Sequence, residues 1–265
     1  LGQAYCSCPT GSCGGGAQCV VEAGISICAC PDGSMFDGTS CTSGTCPAGM
    51  SWINATTCID DLEFSVDEFL GFLNSLGSSC DDPGPTCTAC NDRRCFPSDA
   101  SNPWHYDDSD EGWWVEGPTA LSLNHPARFM TFDAAYAACH AAGKRLCQPI
   151  EWERACSGLS NREYPYGSEY EDGRCKEGGA FAGRPWARGE SAQCASLEHS
   201  SLRDQSGNVW EWTNSCNGET CYVRGGSYAV DASFFPDALG CYFDQGHDRD
   251  SAEFDIGFRC CATTI

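Results

Sequence analysis

The nine residues Asp204-Gln-Ser-Gly-Asn-Val-Trp-Glu-Trp212 gather two carboxylates, two side-chain amides, a hydroxyl and a glycine between and before two indoles. An acid, an amide and a glycine in close succession suit a tight turn, which presents backbone carbonyls to one side. Calcium takes six to eight oxygen ligands, so a carbonyl-presenting turn with two carboxylates to balance charge is chemistry that a hard divalent cation uses. A metal-free turn with a capped carboxylate is the competing reading of the same residues. Trp210 and Trp212 read as core aromatics that shield the turn rather than as ligand stackers. Nucleophilic or histidine-based chemistry finds no comparable support. The five histidines, at 105, 125, 140, 199 and 247, lie far apart with no metal-ligand spacing, and no Ser/His/Asp or Cys/His arrangement can be assembled from the spacing.

The chain has 265 residues, enough for one large domain or for a domain with a small appendage. It carries 15 basic and 37 acidic side chains, a net charge of −22 with histidines neutral. Such a surface repels nucleic acid and anionic membranes and attracts divalent cations. There are 23 cysteines, far above ordinary usage, which points to an oxidising compartment: extracellular or secreted, periplasmic, or at a cell surface. Only Cys87-Thr-Ala-Cys90-Asn-Asp-Arg-Arg-Cys95, with Cys80 just before it, has spacing that would also suit zinc. No apolar run of 18 residues is present, so no membrane-spanning helix is expected. Leu1 opens no signal peptide, and a secretion leader is expected to have been removed. The odd cysteine count leaves at least one thiol unpaired within the chain.

Residues 1–45 are poor in apolar side chains and rich in glycine and cysteine, so they cannot build an ordinary core. The stretch Cys28-Ala-Cys30-Pro-Asp-Gly followed by Cys41 resembles the end of an EGF-like module. That resemblance implies the pairs Cys8–Cys19, Cys13–Cys28 and Cys30–Cys41, with Cys6 spare and available for a bond to a neighbouring subunit. Residues 46–265 form the second domain. Cys46-Pro-Ala-Gly-Met and Cys58-Ile-Asp-Asp read as a strand, a turn and a strand stapled by Cys46–Cys58. Asn54-Ala-Thr56, between them, is a possible glycosylation acceptor. Ser65 to Leu76 reads as an amphipathic helix, capped by Ser65 with Glu68 three residues on, with Val66, Phe69, Leu70 and Leu73 on one face. Residues 77–120 read as loop. Further helices are expected at Phe132 to Ala142 and Pro149 to Ser157, followed by glycine-rich connections and short strands. Few helices, many loops and many staples give an α+β fold.

The second domain carries seven motifs in order: His125-Pro126, Gly143-Lys-Arg-Leu146, Glu151-Trp-Glu-Arg-Ala-Cys156, Tyr164-Pro-Tyr-Gly167, Gly207-Asn-Val-Trp-Glu-Trp-Thr213, Arg224-Gly-Gly-Ser-Tyr228 and Gly257-Phe-Arg-Cys260. This series resembles the formylglycine-generating enzyme, or sulfatase-modifying factor, family over roughly residues 46 to 262. The resemblance implies an irregular α+β fold related to C-type lectin domains, with little regular secondary structure. It implies the bridges Cys139–Cys260 and Cys156–Cys241. Cys147 with Cys261, Cys175 with Cys194, and Cys216 with Cys221 are then natural partners. It further implies a calcium site with side-chain oxygens from Asp204 and Glu211 and backbone carbonyls from Gln205, Gly207 and Val209. A second calcium site is expected after Tyr164-Pro-Tyr-Gly167, yet Lys176 stands where an asparagine ligand is common.

In the family, copper(I) held by two thiolates just after the Gly-Gly-Ser-Tyr motif drives oxidation of a substrate cysteine by molecular oxygen, and soft thiolates suit that ion. Here Val230 and Phe235 occupy the two positions, and Cys241 is needed for its bridge. A second enzymatic branch with this fold uses non-heme iron and a helical domain with three histidines, which this chain lacks. The expectation is a secreted, calcium-stabilised structural or binding protein without catalytic activity. Its partners would be further copies of itself, joined through Cys6, or an extracellular protein or glycan bound around residues 228–250. Phe234, Phe235, Tyr242 and Phe243 lie there, with about half of them expected to be buried. A lectin-like receptor and an oxidoreductase using non-standard cysteines are the alternatives.

Overall fold

The structure, a computed structural model, describes residues 46–54, 56–75, 123–178 and 183–264, the side chains of 73–75 excepted, together with the backbone of four short strands before them. Those strands form two antiparallel hairpins, β1 (Gln18–Glu22) with β2 (Ile25–Ala29) and β3 (Met35–Phe36) with β4 (Cys41–Thr42). The pairings expected for Cys8, Cys13, Cys19, Cys28, Cys30 and Cys41, the spare Cys6, and the group Cys80, Cys87, Cys90 and Cys95 lie outside the described residues.

The Cys46–Cys58 staple closes a hairpin of β5 (Met50–Asn54) and β6 (Thr57–Asp60), every residue of β6 being buried. β7 (Arg145–Leu146) and the C-terminal β12 (Cys260–Thr263) complete this sheet in the order β5-β6-β12-β7. A second sheet is built from β8 (Trp210–Asn217), β9 (Thr220–Arg224), β10 (Asp244–Asp248) and β11 (Ile256–Phe258), in the order β10-β9-β8-β11. β11 runs parallel to β8, so Ile256 lies opposite Trp210 and Phe258 opposite Trp212. One residue, Arg259, separates β11 from β12 and thus links the two sheets.

Three helices pack on this frame. α1 (Val66–Ser75) starts with a reciprocal cap: Glu68 N–H donates to Ser65 Oγ while Glu68 Oε2 accepts from the Ser65 N–H and hydroxyl. Its buried face differs from the expected one. Phe72 is buried beside Val66 and Phe69, whereas Leu70 is only half-buried. The two phenyl rings, three positions apart and 5.7 Å between centroids, share one face of the helix, and that face is turned inward. α2 (Phe132–Ala141) is capped by Thr131 and turns Ala134, Ala135, Ala138 and Cys139 inward, small side chains that let it lie close to the sheet. α3 (Pro149–Ser157) carries proline in its first turn and a Gln148–Glu151 capping box, and it buries Trp152 and Cys156.

Among the described residues six disulfides close the fold: Cys46–Cys58, Cys139–Cys260, Cys147–Cys261, Cys156–Cys241, Cys175–Cys194 and Cys216–Cys221. No described helix is long and apolar enough to cross a membrane.

Candidate functional site

The Asp204–Trp212 stretch leads into β8 through a backbone that few side chains tolerate. Asp204, Gly207 and Asn208 have φ of +61°, +71° and +61°, three left-handed residues within five. Aspartate and asparagine enter that region more easily than other side chains, and glycine enters it without penalty. At Gly207 glycine is obligatory for a second reason, because a Cβ there would collide with the Lys176 carbonyl.

Asn208 is the hub of the turn. Its N–H donates to the Lys176 carbonyl (2.8 Å), its carbonyl accepts from the Tyr228 N–H (2.9 Å), and its Oδ1 accepts from the Trp186 N–H (2.9 Å). Its Nδ2 donates to Glu63 Oε1 at 2.7 Å. The carbonyls of Gly207 and Val209 accept none of these bonds.

Behind the turn lies a group of buried charges. Glu211, at the start of β8, is fully buried; its Oε2 accepts from Trp152 Nε1 and Arg259 Nε, and its Oε1 from Arg259 Nη2, all at 2.7 Å. Arg259 spends its other N–H groups on the carbonyls of Asp60, Asp61 and Arg203, so all five donors are used without solvent. Asp204 is buried and its Oδ2 accepts from the Gly189 N–H. Burial pushes the Asp204 carboxyl up to about 6, against the pull of that N–H and of Arg259. Glu63, between β6 and α1, is fully buried as well. Burial and then the nearby Asp204 charge hold its carboxyl well above the ordinary range.

The structure thus sets Asp204 and Glu211 beside the same guanidinium, and it adds Glu63, which the sequence reading missed. An acid between Leu62 and Phe64, two positions before a helix cap, was the available signal. Among the described residues no three Asp, Glu, His or Cys side chains converge as a metal-holding group, so a cation at this turn would draw much of its shell from carbonyl, amide or water oxygens. The donor set is all oxygen, and Glu63 Oε2 and Gln205 Oε1 are buried without a hydrogen-bond partner. Three carboxylates against the single guanidinium of Arg259 leave an excess of negative charge. In donor type and charge the residues fit calcium. At the position expected for a second site, the Lys176 ammonium lies over the Trp186 ring, 5.6 Å from its centroid.

Among the described residues no free thiol lies around the Gly225-Gly226-Ser227-Tyr228 motif. Val230 is half-buried against two core clusters, Phe235 is 67 % exposed, and Cys241 is bonded to Cys156. Every described cysteine is in a disulfide. Phe234, Phe235, Tyr242 and Phe243 are all exposed, Phe234 at 75 %. The expectation that about half would be core is therefore wrong. Tyr228, Ala232, Ala238, Leu239 and Cys241 fill the inward positions of this segment and leave the larger rings outside.

Comparison with known proteins gives the same frame. Mouse formylglycine-generating enzyme is 28% identical over 194 residues, covering 62% of this chain and 52% of the mouse protein. Bovine inactive C-alpha-formylglycine-generating enzyme 2 is 29% identical over 157 residues, covering 53% of this chain and 51% of its own. The chain spans about half the length of these curated relatives. Among solved structures, PvdO from Pseudomonas aeruginosa superposes with a TM-score of 0.54 at 16% identity, over 78% of this chain and 80% of that one. Treponema denticola variable protein 1 gives 0.53 at 13% identity, over 83% and 93%. Both share the fold. The model of the sulfatase-modifying factor enzyme 1-like domain matches residues 26–264, beginning inside the segment expected to be a separate module. The chain belongs to this FGE-sulfatase family.

Proposed function

We propose that this chain is a binding protein on a non-catalytic formylglycine-generating scaffold, stapled by disulfides, stabilised by calcium at the Asp204–Glu211 turn, and working in an oxidising extracellular setting. The observation that carries the reading is the replacement of both copper-thiolate positions by Val230 and Phe235 in a region where the remaining sulfur is locked in Cys156–Cys241. Neither a valine nor a phenylalanine can bind copper(I) or exchange with a substrate thiol. Relatives named as inactive support it, and those named as active enzymes set the test. A sulfatase-type cysteine peptide incubated with oxygen, with and without copper(I), should show no oxidation above a metal-only blank. Turnover above that blank ends the reading, and the Val230→Cys, Phe235→Cys variant is the informative control.

The exposed rings of Phe234, Phe235, Tyr242 and Phe243 lie in a segment that also carries Asp231, Asp237 and Asp244. Rings among acids suit the stacking face of a sugar or a basic protein surface, and this is the proposed contact surface. Self-association through Cys6 is the second reading, favoured by the odd cysteine count. Native mass with and without reductant separates the two: a reductant-sensitive multimer lost in Cys6→Ser supports assembly, and a monomer under both conditions removes it.

The extracellular reading extends to Asn54. This residue ends β5, and its Oδ1 accepts from both the Thr56 N–H (3.0 Å) and the Thr56 hydroxyl (3.1 Å), with Thr56 exposed on the hairpin turn. Secreted from a glycosylating eukaryotic host, the chain should carry an N-glycan at Asn54 that glycosidase removes and Thr56→Ala prevents. An unmodified Asn54 peptide from that host would count against it.

A further inference from the structure

The tip of the β8–β9 hairpin carries a bridge placed unlike the others. Cys216 is exposed, whereas both cysteines of Cys139–Cys260, Cys147–Cys261, Cys156–Cys241 and Cys175–Cys194 are buried. Its partner Cys221 has no exposure and packs in the same core cluster as Trp212 and Val223. The two cysteines are five positions apart and lie directly opposite each other in the ladder. Opening this bridge therefore releases only a short turn. The Asn217–Thr220, Trp212–Val223 and Glu211–Arg224 pairs still join β8 to β9, and five pairs still join β9 to β10. The Arg249 N–H still holds the Glu219 carbonyl at 2.7 Å.

On the far side of Cys221 stands His247, its direct cross-strand neighbour on β10. Residues opposite each other in an antiparallel pair project from the same face, with Cβ atoms about 5 Å apart. Cys216, Cys221 and His247 thus form one row across three strands. The His247 ring is held from two sides: its Nδ1 is 2.8 Å from Glu253 Oε1, and the ring meets Trp212 edge-on at 6.2 Å between centroids. Its Nε2 is buried without a hydrogen-bond partner. A buried ring nitrogen with nothing to bond is costly, and a sulfur that departs as thiolate inside a core needs a proton. Each supplies what the other lacks. With a proton on both nitrogens the ring donates to Glu253 through one and to sulfur through the other.

We propose that Cys216–Cys221 is a thiol–disulfide exchange site for a small soluble thiol, with Cys216 the attacked sulfur and His247 the proton donor to Cys221. A thiolate attacks Cys216 Sγ on the exposed side of the bridge. The Cys216–Cys221 bond breaks, a mixed disulfide forms on Cys216, and the Cys221 sulfur leaves with the electron pair and takes the proton of His247 Nε2. A second thiolate attacks the small thiol's sulfur in the mixed disulfide and releases Cys216. The bridge is reduced to two thiols and two small thiols are oxidised to one disulfide. The protons those thiols shed on ionising restore His247 and protonate Cys216. The site shares no residue with the Asp204–Glu211 turn or with the positions of Val230 and Phe235, so it stands apart from the calcium and copper readings.

The test exposes the folded full chain to glutathione, caps thiols with iodoacetamide at intervals and maps them by mass. Among the described bridges Cys216–Cys221 should open first, at least about tenfold ahead of Cys46–Cys58, the other short-range bridge, whose Cys46 is half-buried. The trapped intermediate should carry glutathione on Cys216 and the cap on Cys221. His247→Gln should slow this opening about tenfold or more and leave Cys46–Cys58 unchanged. A purely structural histidine predicts the opposite sign, because a loosened β10 uncovers Cys221 and speeds its release. Opening no faster than Cys46–Cys58, or glutathione found on Cys221, overturns the exchange site. A His247→Gln variant that opens as fast as wild type, or faster, overturns the role of His247.

Discussion

Replacing Arg259 with methionine should destabilise the chain by about 3–5 kcal/mol in calcium-free buffer, the range seen when one partner of a buried ion pair is removed. For a domain of this size that is a fall in melting point of roughly 6–20 °C. The side chain has no solvent exposure, and deleting it strips both oxygens of Glu211 of a donor and leaves the carbonyls of Asp60, Asp61 and Arg203 with one bond fewer each. It also leaves three buried carboxylates with no guanidinium among them. Because Arg259 is the residue between β11 and β12, the damage falls on both sheets at once. The double variant Glu211→Gln, Arg259→Met should recover more than half of the loss, since a glutamine still accepts from the Trp152 indole and no longer carries charge. A single variant that loses less than about 1 kcal/mol, or a double variant no better than the single, would show that the pair does not hold this junction.

Local features of the fold were readable before the structure, and long-range ones were not. The Ser65–Glu68 cap and α3 come from residues three or four positions apart, which a sequence displays directly. The Asp204–Trp212 turn could be singled out because its residue types are unusual and contiguous. The seven ordered motifs brought the fold and, with them, the Cys139–Cys260 and Cys156–Cys241 bridges. Glu63 stayed hidden because its meaning lies in Asn208, 145 positions away, and in a guanidinium still further along the chain. Glu211 was assigned by its place in a motif; its partners Trp152 and Arg259 come from a helix and a strand junction that spacing does not connect. The parallel pairing of β11 with β8 is likewise a non-local match. Side chains near Phe234 were misjudged for a different reason: once Ala238 and Leu239 fill the inward side, a run of large rings has no core left to enter.

The three long bridges should prove worth less singly than their spans suggest. Taken alone, closing the 121-residue separation of Cys139–Cys260 gives about 5 kcal/mol in the chain-entropy model, slightly more than the 85-residue separation of Cys156–Cys241. The bridges overlap, however: Cys147–Cys261 interleaves with Cys139–Cys260, and both enclose Cys156–Cys241. With Cys147–Cys261 intact, Cys139 is eight positions from one anchor and Cys260 one from the other, so Cys139–Cys260 closes a ring of only about ten residues, worth about 3 kcal/mol. Cys156 and Cys241 are nine and twenty positions from the same anchors, and the corresponding larger ring is worth about 3.5 kcal/mol. The order of the two therefore reverses. All four sulfurs are fully buried, so the packing lost in alanine variants is similar, and the difference between variants reads the ring. Under oxidising conditions, Cys156→Ala, Cys241→Ala should unfold at lower urea than Cys139→Ala, Cys260→Ala, although its bridge spans the shorter segment. Removing Cys139–Cys260 and then Cys147–Cys261 should cost about 6 kcal/mol in all, since the second removal opens a ring of roughly thirty residues onto Cys156–Cys241. The opposite order, with the longer span costing more, would mean that each bridge acts on the unfolded chain independently and that the overlap carries no weight.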